Sequence, residues 1–271
     1  MSTRRVMKQA AFLVGALLGT AAFAQGAGSV THLSGTLSVQ RSDGSVRILS
    51  QKSEVNQGDV LTTQRDSYAQ INFTDGSSLT MRPNTQMKVE QYTFVQDRPQ
   101  DDNSFLRLIK GGLRTVTGLV GKRGNLDAYR IGTNTATIGI RGSSGDTVVV
   151  LPGDTAEIVP VEETGIAGAA AGGLHIGHSP GILEEGAGFM PVQASKLPPG
   201  TYHTTYTGSY FLQNEAGIQI INEGMFGFAG DFKVPPTILP GDPGLNLSQL
   251  PFILGVTGAQ RGGVASECVV R

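Results

Sequence analysis

Tryptophan is missing from this 271-residue chain, and it holds only one cysteine and four histidines. The lone cysteine, Cys268, lies near the C-terminus and excludes an internal disulfide framework. It reads as a free thiol on a tail, with an intermolecular bridge as the alternative. The lack of tryptophan weakens any reading as a sugar-stacking protein. Charge of one sign is also scarce. A formal net charge of −1 argues against nucleic acid as a partner. Beyond the N-terminal segment, no apolar run reaches membrane-spanning length without Gly, Pro or a charge breaking it.

The N-terminus is of another kind. Arg4, Arg5 and Lys8 precede the apolar run Ala10 to Ala22, and Ala22-Phe23-Ala24 supplies a small-residue cleavage site before Gln25. That order predicts a signal peptide over residues 1–24, with an uncleaved anchor as the alternative. The Arg4-Arg5 pair raises a twin-arginine route, but ordinary secretion fits better. No lipid-attachment cysteine follows the site. The expected mature protein is soluble, periplasmic or secreted, and has no transmembrane segment. Its residues 25–151 carry net positive charge and residues 152–271 net negative charge.

What is abundant is alternation around turn dipeptides. Asp75-Gly76 stands between Ala69-Gln70-Ile71-Asn72-Phe73 and Leu79-Thr80-Met81, a strong local hairpin signal. Leu37 and Val39 alternate with polar neighbours up to Asp43-Gly44, and Gly58-Asp59 precedes Val60 to Thr63. Met87 and Val89 alternate with Lys88 and Glu90. Each alternation puts one strand face in a core and the other in water. Phe105 to Ile109 continues past Gly111-Gly112 as Leu113 to Val116, which suggests a bulge. Tyr129 and Ile131, then Ala136, Ile138 and Ile140, give two further strands around Thr133-Asn134, and Val148 to Leu151 another.

The predicted fold is all-β, with short strands and hairpins forming a sandwich or short solenoid-like roll under a Pro/Gly-rich C-terminal strap. Residues 29–151 form a β domain, and 152–196 are a Gly/Ala-rich linker and loop. Residues 197–255 form a C-terminal β segment with strands at Tyr202 to Tyr206 and Tyr210 to Leu212 broken at Gly208. Ala216-Gly217 turns into Ile218-Gln219-Ile220. The prolines of 234–251 exclude central strands there and suggest an extended strap. Residues 256–271 read as a disordered tail.

Catalytic signals are weak. No Gly-x-Ser-x-Gly elbow and no phosphate loop occurs. His175 and His178 with Glu184 and Glu185 are the one cluster suggesting a metal, and their glycine-rich setting favours solvated loop histidines. Asp101-Asp102 in a polar loop reads as solvated charge rather than an active-site pair. No catalytic residue, cofactor or metal is predicted. Arg107, Lys110, Arg114, Lys122 and Arg123, with Arg130 beyond them, are a candidate interaction surface for an acidic protein or an anionic glycan. Charge protection of an edge strand is the competing reading. Tyr202, Tyr206 and Tyr210 are the candidate stacking residues of a carbohydrate or cell-wall binding alternative. Arg141, between Ile140 and Gly142, is expected to brace its turn or pair with Asp59 or Asp75.

Four stretches in order resemble the FecR domain: Gly58-Asp59-Val60-Leu61-Thr62-Thr63, Phe73-Thr74-Asp75-Gly76-Ser77-Ser78-Leu79, Lys110-Gly111-Gly112-Leu113-Arg114 and Thr133-Asn134-Thr135-Ala136-Thr137-Ile138-Gly139-Ile140-Arg141-Gly142. The resemblance covers about residues 30 to 150. In it Gly58, Asp59, Asp75, Gly76, Arg141 and Gly142 read as structural motif residues. Ser143 stands where the family often has Thr, and Asn134 where it often has Pro. The family's best-known members add a cytoplasmic anti-sigma segment and a membrane helix before this domain. A signal peptide is expected in their place here. The resemblance implies a non-enzymatic module for protein interaction or signalling in the cell envelope, with a protein partner there.

Overall fold

A computed structural model describes residues 26–153 and 197–243. Residues 1–25, where a signal peptide is expected, residues 154–196 with their histidines, and residues 244–271 with Cys268 lie outside the described residues. Fifteen strands join in one hydrogen-bonded network, and the one helical element among the described residues is a 3-10 turn at Pro99–Asp101. The fold is all-β, as the alternation requires.

The strands are β1 (Gly28–Ser34), β2 (Leu37–Gln40), β3 (Val46–Leu49), β4 (Glu54–Val55), β5 (Val60–Thr63), β6 (Tyr68–Phe73), β7 (Ser78–Met81) and β8 (Gln86–Thr93). There follow β9 (Asn103–Val116), β10 (Tyr129–Gly132), β11 (Thr137–Val150), β12 (Gly200–Asn214), β13 (Gly217–Asn222), β14 (Phe226–Ala229) and β15 (Thr237–Leu239). The Asp75-Gly76 hairpin forms as the dipeptide predicts, with Ile71 opposite Leu79 and the Gly76 N–H donating to the Phe73 carbonyl at 3.0 Å.

β9 organises the rest. Its first half pairs β8 on one side and β10, in parallel, on the other. Its second half pairs β7 and β11. The change of partners falls at Gly111, which has φ +82° and packs so closely on Thr85 that a Cβ would collide with that residue. A glycine here is a steric necessity. Two wings leave β9, one through β8, β5, β2 and β3, the other through β7, β6, β1 and β4. Both deliver their inward residues (Leu37, Val39, Leu61 and Met87; Val30, Ile71, Leu79 and Met81) to one core cluster with Leu106, Leu108 and Leu113. Burial of these side chains stabilises the fold by roughly 1.5–3 kcal/mol each.

β11 and β12 repeat the device. The two strands predicted around Gly208 are one strand, and the predicted strands at Ala136 to Ile140 and Val148 to Leu151 belong to another. β11 pairs β10 before its irregularity and β9 after it; β12 pairs β14 before Gly208 and β13 after it. The β11–β12 register breaks between Arg141 and Ser144, opposite Thr207 and Ser209. Tyr210, Leu212, Ile221 and Ala229 join the same core cluster. Part of the proline-rich stretch, Thr237–Leu239, pairs β14 as an edge strand.

Candidate interaction surface

The motif residues of the sequence are built into junctions. Asp59 is buried; it ion-pairs with Arg41 and accepts from the Asn56 N–H at 2.8 Å. Burial pushes its carboxyl up, against the pull of the Asn56 N–H and the Arg41 charge. Asp75 is buried too. One of its oxygens accepts from the Ser77 N–H (3.0 Å), the Ser77 hydroxyl (2.6 Å) and the Tyr92 phenol (3.1 Å). The other accepts from the Val120 N–H at 3.1 Å, which ties the 117–123 loop to the hairpin. Each carboxylate is satisfied by donors close to it. Arg141 itself is placed by backbone pairing with Ser209. Thr133 closes its turn by bonding the Ala136 carbonyl at 2.8 Å, and Thr133 and Thr135 both meet the Thr201 hydroxyl at 2.7 Å.

Two buried acids escaped sequence reasoning. Asp102, expected to be solvated, has a fully buried side chain, and Arg123 Nε donates to it at 3.0 Å. A polar loop hid it, because burial there comes from the packing of the Val95 turn and Arg123 around it. Asp146 lies opposite Arg114 across the β11–β9 ladder. It receives Arg114 through two bonds of 2.7 and 2.9 Å, Arg82 at 3.0 Å and the Tyr206 phenol at 2.8 Å. Burial and the Asp146 charge push the Tyr206 phenol up to about 12. Burial lowers the Arg82 pKa; at Arg114 burial also pulls down, but the bonds and charge of Asp146 together with Tyr206 outweigh it and raise the pKa. No spacing in the sequence announces this cluster; it exists once the register is fixed.

The five candidate cations are dispersed, not gathered into one strip. Arg107 pairs with Glu90 at 2.6 Å and lies 5.6 Å from the Phe105 ring, with Arg130 on the same ring at 5.5 Å. Lys110 is exposed. Arg123 is held by Asp102, by the carbonyls of Val95 and Gln96, and by the Phe94 ring. Arg114 and Lys122 share a hollow with Tyr206 and Thr207. The tyrosine trio fails as a stacking platform. Tyr202 is buried against Phe228 and Tyr210 against His203, and only Tyr206 is half-buried.

One surface stands out in their place. β13 pairs β12 alone among the described strands, so its other edge carries no ladder. Ile218 and Ile220 are 61% and 57% exposed and sit on the same face as Phe211 through the register Phe211↔Ile220 and Gln213↔Ile218. The Phe211 ring lies in the space that a Cβ at Gly139 would need, and it borders two open hollows, of about 230 and 510 Å³. Asp127, Arg130 and Glu215 provide the polar rim. The Ala216-Gly217 turn pointed to this strand, but no local pattern indicates which strand ends at an edge.

Residues 59–162 match the family described as FecR protein. That match supports a signalling or interaction module. No curated protein matches the chain. Two crystal structures assigned as an anti-sigma factor from Parabacteroides distasonis are similar at 9% identity and a TM-score of 0.40, over 68% of this chain and 60% of that one. This chain thus spans less than two thirds of that protein's length. A structure described as a cell surface anchoring domain is similar over 22% of this chain and 80% of its own, at 24% identity and a TM-score of 0.22. Among the described residues no helix is long and apolar enough to cross a membrane, and no group of three or more potential metal ligands occurs.

Proposed function

We propose that this protein is a non-catalytic interaction module of the cell envelope, exported by its N-terminal segment. It binds an extended stretch of a protein partner along the open edge of β13. The observation that carries this reading is the combination of an unladdered edge with Ile218 and Ile220 exposed beside Phe211. A strand added there would complete the backbone hydrogen bonds of β13 and cover its isoleucines. β3 is also an edge with exposed Val46 and Ile48, but Arg47 sits between them, a charge that disfavours edge pairing. β13 carries no charge from Gly217 to Asn222. The absence of catalysis is inferred from the buried acids: Asp59, Asp102 and Asp146 are each neutralised by arginine in a joint between strands. An acid held that way positions backbone and is not poised to move a proton.

The test is capture from an envelope extract with the full chain and with an Ile218→Lys/Ile220→Lys variant. Specific proteins retained by the native chain and lost by the variant are expected. Retention of the same proteins by both, or retention of polysaccharide alone, would remove the reading. Fractionation of cells expressing the chain with and without residues 1–24 checks the compartment.

A further inference from the structure

Where β11 and β12 part between Arg141 and Ser144, a hollow of about 300 Å³ opens. Arg114, Lys122, Ser144, Tyr206 and Thr207 line it, and among the described residues no carboxylate does. Asp146 is bound by Arg82 and Arg114 behind the hollow, and Lys122 adds an exposed cation at its mouth with no ion pair to a described carboxylate. Arg114 is mostly buried, so its charge is less screened than that of a surface arginine.

The donors are also unspent. Lys122 Nζ gives one N–H to the Thr117 carbonyl at 2.7 Å, and an ammonium has three. Ser144 and Thr207 have hydroxyls 2.8 Å apart, and Thr207 Oγ1 accepts from the Ser144 N–H at 3.1 Å. Whichever hydroxyl donates to the other, one hydroxyl proton of the pair is left over. Lys122 and Thr207 are exposed, so the hollow is open to solutes.

We propose that this hollow binds a compact oxyanion, a carboxylate or a phosphate group. Lys122 supplies the exposed charge, the Ser144–Thr207 pair a neutral donor, and Arg114 the fixed positive wall. Oxygen anions match such a donor set because charge-assisted bonds to them are the strongest available. The site does not depend on the β13 edge, and a small-anion assay tests it without any protein partner.

The experiment is an amide-shift titration of the isotope-labelled full chain with sodium phosphate and, separately, sodium acetate. Sodium chloride at matched ionic strength is the control. Saturable shifts at Ser144 and Thr207 are expected, and the anion that saturates identifies the phosphate or the carboxylate form. Lys122→Gln should weaken the binding about tenfold or more. Thr207→Val, which leaves the 117–123 loop untouched, should weaken it as well, and Lys110→Gln, a cation outside the hollow, should not. The proposal fails if neither anion gives a saturable shift beyond chloride, or if Lys122→Gln and Thr207→Val both bind as the native chain does.

Discussion

β12 has two very different neighbours. Towards β11 its flank holds Asp146, fully buried and bonded to two arginines and a phenol. Towards β13 it leads to a strand with exposed isoleucines and, among the described residues, no further ladder. The chain buries charge on one side and exposes hydrocarbon on the other. Both departures from the usual partition carry information: the first fixes a joint, and the second leaves a surface unfinished.

The sharpest way to break this contrast is Asp146→Ala. It leaves Arg82 and Arg114 together without their counter-charge, and a loss of about 3–5 kcal/mol in urea unfolding is expected. A loss below about 1 kcal/mol would mean that the cluster does not hold the joint. Acid provides a second probe on the buried flank. His203 is fully buried beside Tyr210, with Nδ1 3.0 Å from the Thr147 hydroxyl, and burial depresses its pKa from 6.5 to about 3. Between those values the unfolded chain binds the proton and the folded one does not. Stability from this group is therefore complete above about pH 6.5 and lost as pH falls, by of order 4 kcal/mol at pH 3. His203→Gln should flatten that part of the pH–stability curve, and an unchanged slope would exclude the histidine as its cause. Asp75→Ala should cost about 2–3 kcal/mol, because four donors lose one acceptor. It should also speed hydrogen exchange at Val120 N–H, which the carboxylate holds. The smallest stability effect belongs to the open flank. Ile218→Lys/Ile220→Lys should change stability by only about 0.5 kcal/mol while abolishing partner capture. A large destabilisation would show that the edge is already covered in the free protein.

The comparison also marks how much could be read in advance. The Asp75-Gly76 hairpin, the inward faces Leu37/Val39, Met87/Val89 and Leu106/Leu108, and the glycine break within β9 were legible, because each is a period-two pattern interrupted by a residue with a fixed steric meaning. The roles of the charged residues were not. Arg107, Arg114 and Arg123 look alike along the chain, yet each is claimed by a different acid far from it in sequence. Asp102 and Asp146 carry no local mark of burial. Tyr202 is four positions from half-buried Tyr206 and Tyr210 is adjacent to half-buried Phe211, and their burial follows from the pairing of β12 with β11, β14 and β13.

The order of residues by itself determined that this would be a β protein, where its tight turns fall, and which side chains face inward, since alternation and backbone sterics act between neighbours. Only the tertiary structure decided which carboxylate meets which arginine, where β9, β11 and β12 exchange partners, and which strand is left at the rim. Those outcomes depend on register between segments tens of residues apart, and ion pairs and sheet edges come into being with that register.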